Sequence, residues 1–398
     1  VIPELRREYN ARFTEHRYRR FLERLDHRLG RPVTFRVSET PCFVPRELQV
    51  KCEEAAVALA VQAHDPGYLR ASDATLRPEY TVAGQPERSL FITVDFAVTR
   101  GADGSLEPKL IEMQGFPSLM GFQLLLAELA QEHFSLPYDL SYLNGGVASR
   151  AEYLALLHRA IVGNEDPENV ALLELDPWNQ KTCPDFAAME ELLGLAVVDI
   201  RSVQVIDRVA HYERGGRWVP IRRIFNRTIV DELQRKNVAI PFGWNDPLDV
   251  TWAGHPNWYF RISKFLLPYL DHPVVPRARF LHQIDPLPDT LEDYVLKPLY
   301  SFAGVGVVVG PTRTQIEQIP QAERHNWLLQ ERITYAEALE TPEGGTRVEL
   351  RYMLIWPDGE ERPRAANGLV RMGRGSLMGV DFNSSARWIG ASCNFFEA

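Results

Sequence analysis

Apolar positions recur along this chain with two periods, and each period marks a different kind of element. Residues 4–29 are rich in Arg, Glu and Leu and stop at Gly30, which predicts an amphipathic helix with a C-terminal stop signal. Residues 46–63 predict a second helix. The run SLFITVDFAV (89–98) is β-rich, and a turn-like TRGADGS leads from it into PKLIEM (108–113). The two runs predict a hairpin around a Gly/Asp turn. Pro117 and Ser118 then introduce a helix over LMGFQLLLAELAQEHF.

The middle of the chain alternates. VALLEL (170–175), LAVVDI (195–200) and WVPIRRIF (218–225) read as strands, whereas PDFAAMEELLG (184–194) and TIVDELQRK (228–236) read as helices. Alternation of this kind predicts a parallel α/β layer. PFGWNDPLDVTWAGHPNWYF (241–260) has few periodic features and is expected to be a long loop, a kind of segment that often carries function. The chain then turns β-rich again in YVLKPL (294–299), VGVVVG (305–310), WLLQERI (327–333), VELRYMLIW (348–356) and GLVRMG (368–373).

Bulk properties narrow the function classes. A chain of 398 residues suffices for two or three domains. Its net charge of −9 argues against a nucleic-acid partner, which usually requires a basic face. Cys42, Cys52, Cys183 and Cys393 form no CxxC pair, so they read as free thiols in a reducing compartment. No apolar run reaches the ~18 residues of a membrane span, and VIPELRREYNARF has no apolar core of a signal peptide. The expectation is a cytoplasmic protein with neither membrane nor nucleic acid as partner.

Several short stretches carry candidate chemistry. In VLKPLYSFAGVGVVVG (295–310), Lys297 ends a strand beside a loop with Gly304 and Gly306. An ammonium group and approachable backbone N–H groups suit nucleotide phosphates, and a glycine hairpin with a surface lysine is the alternative. Glu112 and Gln114 share a strand face and Asp95 lies on the partner strand. Such an oxygen set suits Mg²⁺, or is a solvated sheet face. In LLQERI (328–333), Gln330-Glu331 ends an apolar strand whose backbone suits an adenine edge, with a carboxylate for the ribose, and a strand that simply ends in a charged turn is the alternative. Arg351 and Arg371 interrupt apolar strands and need anions, supplied either by a ligand or by structural glutamates. Asn226 and Arg227 lie where a strand meets a helix, a place that binds anions, although Asn226 reads equally as a helix cap. His255 and Asn257 in the aromatic loop are candidates to line a substrate site.

In identity and order these pieces resemble the ATP-grasp superfamily. Its members usually run from a lid strand with Lys and a glycine loop, through a hinge strand ending Gln-Glu and two Arg-bearing strands, to an Asn, an Asp and a Glu-x-Asn. Here the first group lies at the C-terminal end, as Lys297, the Gly304 loop, Gln330-Glu331, Arg351, Arg371 and Asn383. The last group lies near the front, as Asp95 and then EMQGFPSL with Glu112 and Gln114. The rotated order is similar to the circularly permuted branch that includes glutathionylspermidine synthase and the eukaryotic type of glutathione synthetase. Two positions depart from it. Gln114 stands where Asn is usual, and Thr93 stands where glutathionylspermidine synthase has an arginine.

The resemblance implies an α/β (α+β) ATP-grasp fold, circularly permuted, with mixed and antiparallel sheets and a lid subdomain. It divides the chain into an N-terminal helical segment (1–88), a metal-binding hairpin (89–145), an α/β substrate domain (146–275) and a lid with the nucleotide site (276–398). It implies an ATP-dependent carboxylate–amine or carboxylate–thiol ligase that forms an acyl phosphate and releases ADP and phosphate. The carboxylate and amine would be small molecules such as an amino acid, a peptide or a polyamine. Asp95, Glu112 and Gln114 would bind Mg²⁺, and Lys297, Ser301, Gly304, Gly306, Gln330, Glu331, Ile333 and Asn383 would bind ATP. Arg351, Arg371 and Lys297 would stabilise transferring charge. A phosphotransferase and a non-catalytic nucleotide-binding protein are the alternatives.

Overall fold

The front hairpin forms from Phe91–Arg100 and Leu106–Gln114, and its alternation decides which way each residue faces. In the computed structural model, which describes residues 2–299, 306–375, 378 and 386–397, Ile92, Val94, Phe96 and Val98 all enter one core. Helix Arg46–Gln62 covers that face with Leu48, Cys52, Ala55, Ala56 and Leu59. Thr93 and Asp95 therefore point to the opposite face.

The hairpin is one edge of a larger antiparallel sheet. Phe91–Arg100 pairs with Gly344–Ile355, then Arg364–Gly373, then Gly390–Ser392. Asp95 and Arg351, 256 positions apart, are direct cross-strand partners. Cys42–Val44 likewise pairs in parallel with Asn394–Glu397. The front and rear of the chain thus build one structure, and the largest core takes residues from 42–68, 92–113 and 339–372 together.

A β-bulge shapes the second hairpin strand. Asp95 pairs with Glu112, but the next residue, Phe96, pairs with Leu110, so Ile111 is extra. A strict period of two would place Leu110 on the face of Glu112. The extra residue lets Leu110 and Met113 both reach the core while Glu112 and Gln114 stay on the face of Asp95.

Two further sheets flank this one. Ala278–Phe280, Trp327–Glu331, Tyr294–Pro298 and Val308–Val309 form an antiparallel sheet with a small core of its own. Thr251–Ala253, Arg223–Asn226, Val170–Glu174 and Ala196–Asp199 form the parallel sheet that the alternation predicted. Its strand order reverses between Val170–Glu174 and Arg223–Asn226, so Asn226 and Arg227 sit at the carboxyl end of a topological switch point. The class is a mixed α/β fold with parallel and antiparallel sheets.

Several elements differ from the sequence pattern. The helix expected over 4–29 is two helices, Pro3–Arg12 and Glu15–Leu29, because Thr14 caps the second by accepting a hydrogen bond from Arg17 N. The strand expected over 218–225 belongs to two sheets, as Arg217–Ile221 and Arg223–Asn226. The loop expected over 241–260 contains strand Thr251–Ala253 and most of helix Asn257–Arg261. No described helix is long and apolar enough to cross a membrane.

Candidate active site

On the face of the main sheet opposite helix Arg46–Gln62, charged side chains from four strands converge. Asp95 is 1% exposed. Arg351 binds it as a fork, Nε to Oδ1 at 2.6 Å and Nη2 to Oδ2 at 2.6 Å, and Arg371 Nη2 also donates to Oδ2. Arg371 Nε lies 3.1 Å from Glu349 Oε2, and Tyr335 donates to Glu349 Oε1 at 2.5 Å. Burial alone would raise the Asp95 carboxyl, but the two guanidinium groups hold it below its ordinary value. Burial raises Glu349, with Arg371 opposing.

The lid sheet adds Lys297 from the far end of the sequence. Its ammonium donates to Ile111 O at 3.3 Å, the carbonyl of the bulged residue. Burial lowers Lys297 to about 8, Glu112 opposes, and nearby Lys264 adds to the lowering. Lys264, 8% exposed, is also pushed down by burial and supported by Glu112. Four cations, Lys264, Lys297, Arg351 and Arg371, thus meet three carboxylates, Asp95, Glu112 and Glu349. The excess is positive, which is the electrostatic requirement of an anion site.

Gln330 lies on the same face of the lid sheet as Lys297, because it pairs with Val295 two residues before it. It is 1% exposed, and neither atom of its amide has a hydrogen-bond partner among the described residues. An orphaned donor and acceptor at that depth cost free energy unless a ligand satisfies them. Glu331 differs: its carboxylate accepts from Arg277 N at 3.2 Å on the neighbouring chain segment. Ile333 follows the strand outside regular structure, half-buried. Gly306 has φ +75°, a backbone conformation that favours glycine, and a Cβ there would meet Pro298 at 3.0 Å. Ser301, Gly304 and Asn383 lie outside the described residues.

The donor set expected for Mg²⁺ does not fit a resident ion. The fork of Arg351 and the bond from Arg371 occupy both oxygens of Asp95. Gln114 turns its Nε2 to Glu112 Oε1 at 3.0 Å. Among the described residues no group of three or more His, Cys, Asp or Glu side chains is arranged to hold a metal.

The expected substrate residues divide. Arg227 is buried and donates to Ser118 O at 2.9 Å and Asp185 Oδ2 at 2.7 Å. Ser118 Oγ also accepts from Arg351 Nη1 at 3.2 Å, so Arg227 abuts the charged cluster through one residue. Asp185 in turn accepts from Gly121 N and Phe122 N at the start of helix Met120–Phe134, a structural duty. Asn226 closes a local turn with Thr228, as a cap would. His255 and Asn257 direct their hydrogen bonds to Val82, Ala83 and Gln85, not to the cluster.

Three residues of the cluster escaped the sequence reading. Glu349 stands two positions before Arg351 in VELRYMLIW, so the alternation that exposed one could have exposed the other. Lys264 interrupts the apolar run ISKFLLPYL, a signal of the same kind. Tyr335 carries no local signal.

No protein-family model matches the chain, and no curated protein matches it. Among solved structures, it is similar to the apo form of a glutathione synthetase-like effector from Globodera pallida. Identity is 11%, the TM-score is 0.59, and the match spans 100% of this chain and 99% of that one. At that identity the likeness is one of fold. It extends over the whole path of the chain, so both halves of the charged cluster lie within the shared architecture.

Proposed function

We propose that this chain is an ATP-dependent ligase of the circularly permuted ATP-grasp type, which activates a carboxylate as an acyl phosphate. The contact of Lys297 with the bulge carbonyl of Ile111 carries this reading, because it sets a rear lysine and two rear arginines on one face with the front hairpin. The glutathione synthetase-like fold supports it. In the proposed reaction the carboxylate oxygen takes the γ-phosphoryl group of ATP and ADP leaves. An amine nitrogen then attacks the carbonyl carbon, the bond to phosphate breaks, and the amine proton is lost. Lys297 would offset phosphate charge, the Gln330 amide would face the adenosine, and Arg351 and Arg371 would stabilise the oxyanion. Asp95, Glu112 and Gln114 do not fit a resident metal, so charge on the phosphates would fall to Lys297. A cytoplasmic location and small carboxylate and amine substrates belong to the same proposal.

Phosphate release is the test. The protein is mixed with magnesium ATP, hydroxylamine and pools of amino acids, peptides and simple carboxylic acids. The expected result is phosphate and a hydroxamate in at least one pool, both abolished by Lys297→Ala in a folded variant. Undiminished turnover in that variant sinks the assignment. The saturated Asp95 favours one second reading, a nucleotide-binding protein without turnover. It predicts binding of the non-hydrolysable analogue AMP-PCP with no phosphate release in any pool. A stable phosphorylated product would instead identify a phosphotransferase.

A further inference from the structure

A cavity of about 110 Å³ opens beside Glu112 and Lys264, and the mechanism leaves it unused. Its apolar walls include Phe116, Ile229, Tyr259, Phe260, Ile262 and Leu299, and Gln114 and Ser263 also line it. The end of the front hairpin fixes one wall through a close backbone approach. Gly115 N donates to Ile262 O at 2.9 Å, and a Cβ on Gly115 would lie 2.4 Å from Trp258 O. Glu112 and Lys264 bound the cavity on the side of the charged cluster, and Asp231 also lines it. Asp231 is already engaged, by the Tyr259 hydroxyl at 3.1 Å and by Arg77 at 3.9 Å.

We infer that this cavity receives the nucleophile, a primary amine bearing a branched aliphatic group about the size of an isobutyl chain. The inference rests on the ligase reading. Glu112 lines the cavity on the side of the cluster, and its Oε2, the oxygen that Gln114 does not bind, would pair with an ammonium group placed there. The apolar walls reward a body without charge. A polyamine is disfavoured, because its chain would have to cross the apolar walls to bring a second ammonium to Asp231, which already binds Tyr259 and Arg77. Glycine leaves the cavity unfilled. Lys264 adds a site for a carboxylate, so a branched apolar amino acid satisfies every group named.

Calorimetric titration tests this without knowledge of the carboxylate. The full chain is titrated with isobutylamine, L-leucine, methylamine, glycine, phenethylamine and spermidine, each with and without AMP-PCP. Isobutylamine and L-leucine are expected to bind at least about tenfold tighter than methylamine and glycine respectively, and tighter than spermidine. Ile229→Trp fills the cavity and is expected to remove that preference. Phe116→Ala widens it and is expected to move the preference toward phenethylamine. Tightest binding by spermidine overturns the inference, as does equal binding by all amines or a preference unchanged in both variants. AMP-PCP binding without an amine preference defeats this inference alone. An amine preference without AMP-PCP binding defeats the ligase reading and leaves the cavity's assignment to an apolar amine standing.

Discussion

Lys297 shows how a single buried charge ties a site to pH. Burial favours its neutral amine and brings its pKa to about 8, with Glu112 resisting and Lys264 assisting. The ammonium that would hold a phosphate is therefore present at neutral pH and lost as pH rises through about 8. Binding of AMP-PCP is expected to weaken from pH 7 to pH 9, and Lys297→Arg, whose guanidinium stays charged, is expected to flatten that profile. An unchanged slope in Lys297→Arg would remove Lys297 from the phosphate site. Asp95 makes the complementary point. Replacing it with Asn removes the shared counter-charge of the half-buried Arg351 and Arg371 and leaves Arg371 only Glu349, and removing one partner of a buried pair costs about 3–5 kcal/mol at most. Urea denaturation of Asp95→Asn should show a loss of that order. A loss within about 0.5 kcal/mol would mean that the pairs carry no net weight.

Among the elements, the front hairpin was the most legible and the least complete. Its alternation announced a core face and a polar face, and both formed from Ile92, Val94 and Phe96 against Thr93 and Asp95. The bulge at Ile111 was invisible, since one extra residue leaves a strand pattern looking continuous. Yet that bulge presents the carbonyl bound by Lys297. Arg351 and Arg371 stood out as charges in apolar strands, but the sequence could not say that their anions would be Asp95 and Glu349. Cross-strand register decides this, and it arises from pairing between segments far apart in the chain. The 241–260 stretch misled because its short elements take their stability from tertiary packing, not from periodicity. Gly115 tests how tightly the hairpin's end is held: Gly115→Ala places a methyl 2.4 Å from Trp258 O and 3.0 Å from Ile262 Cβ. The strain is expected to cost about 1–3 kcal/mol and to loosen amine binding in the adjoining cavity. Wild-type stability in that variant would show that the backbone can give way there.

At the scale of the molecule, two histidines, His255 buried and His64 half-buried, couple the fold to acid. His64 lies where helix Arg46–Gln62 ends and the front hairpin begins. Its Nδ1 faces Ala60 O at 2.7 Å, and its Nε2 accepts from Ser89 N at 2.9 Å. It packs tilted against Trp258 and edge-on to Trp356, with ring centroids 4.8 and 4.9 Å away. Only the neutral ring with its proton on Nδ1 satisfies both bonds; a second proton would set two donors against each other at Ser89. His255 is held similarly, its Nδ1 accepting from Asn257 N at 3.4 Å and its Nε2 facing Ala83 O at 3.2 Å. Burial lowers both from 6.5 to about 4, with Arg88 contributing to the lowering of His64. The unfolded chain therefore binds these protons first. Their contribution is intact above about pH 6.5, falls as pH drops below it, and is fully lost near pH 4. Each histidine accounts for about 3 kcal/mol at most, so together they reach a substantial share of a typical domain's 5–15 kcal/mol. Melting temperature should decline steeply between pH 6.5 and 4.5, well before the carboxylates are fully protonated. His64→Gln has no second proton to gain, so it should melt lower at pH 7.5 yet lose less on acidification. Parallel declines in wild type and His64→Gln would show that the acid sensitivity arises elsewhere.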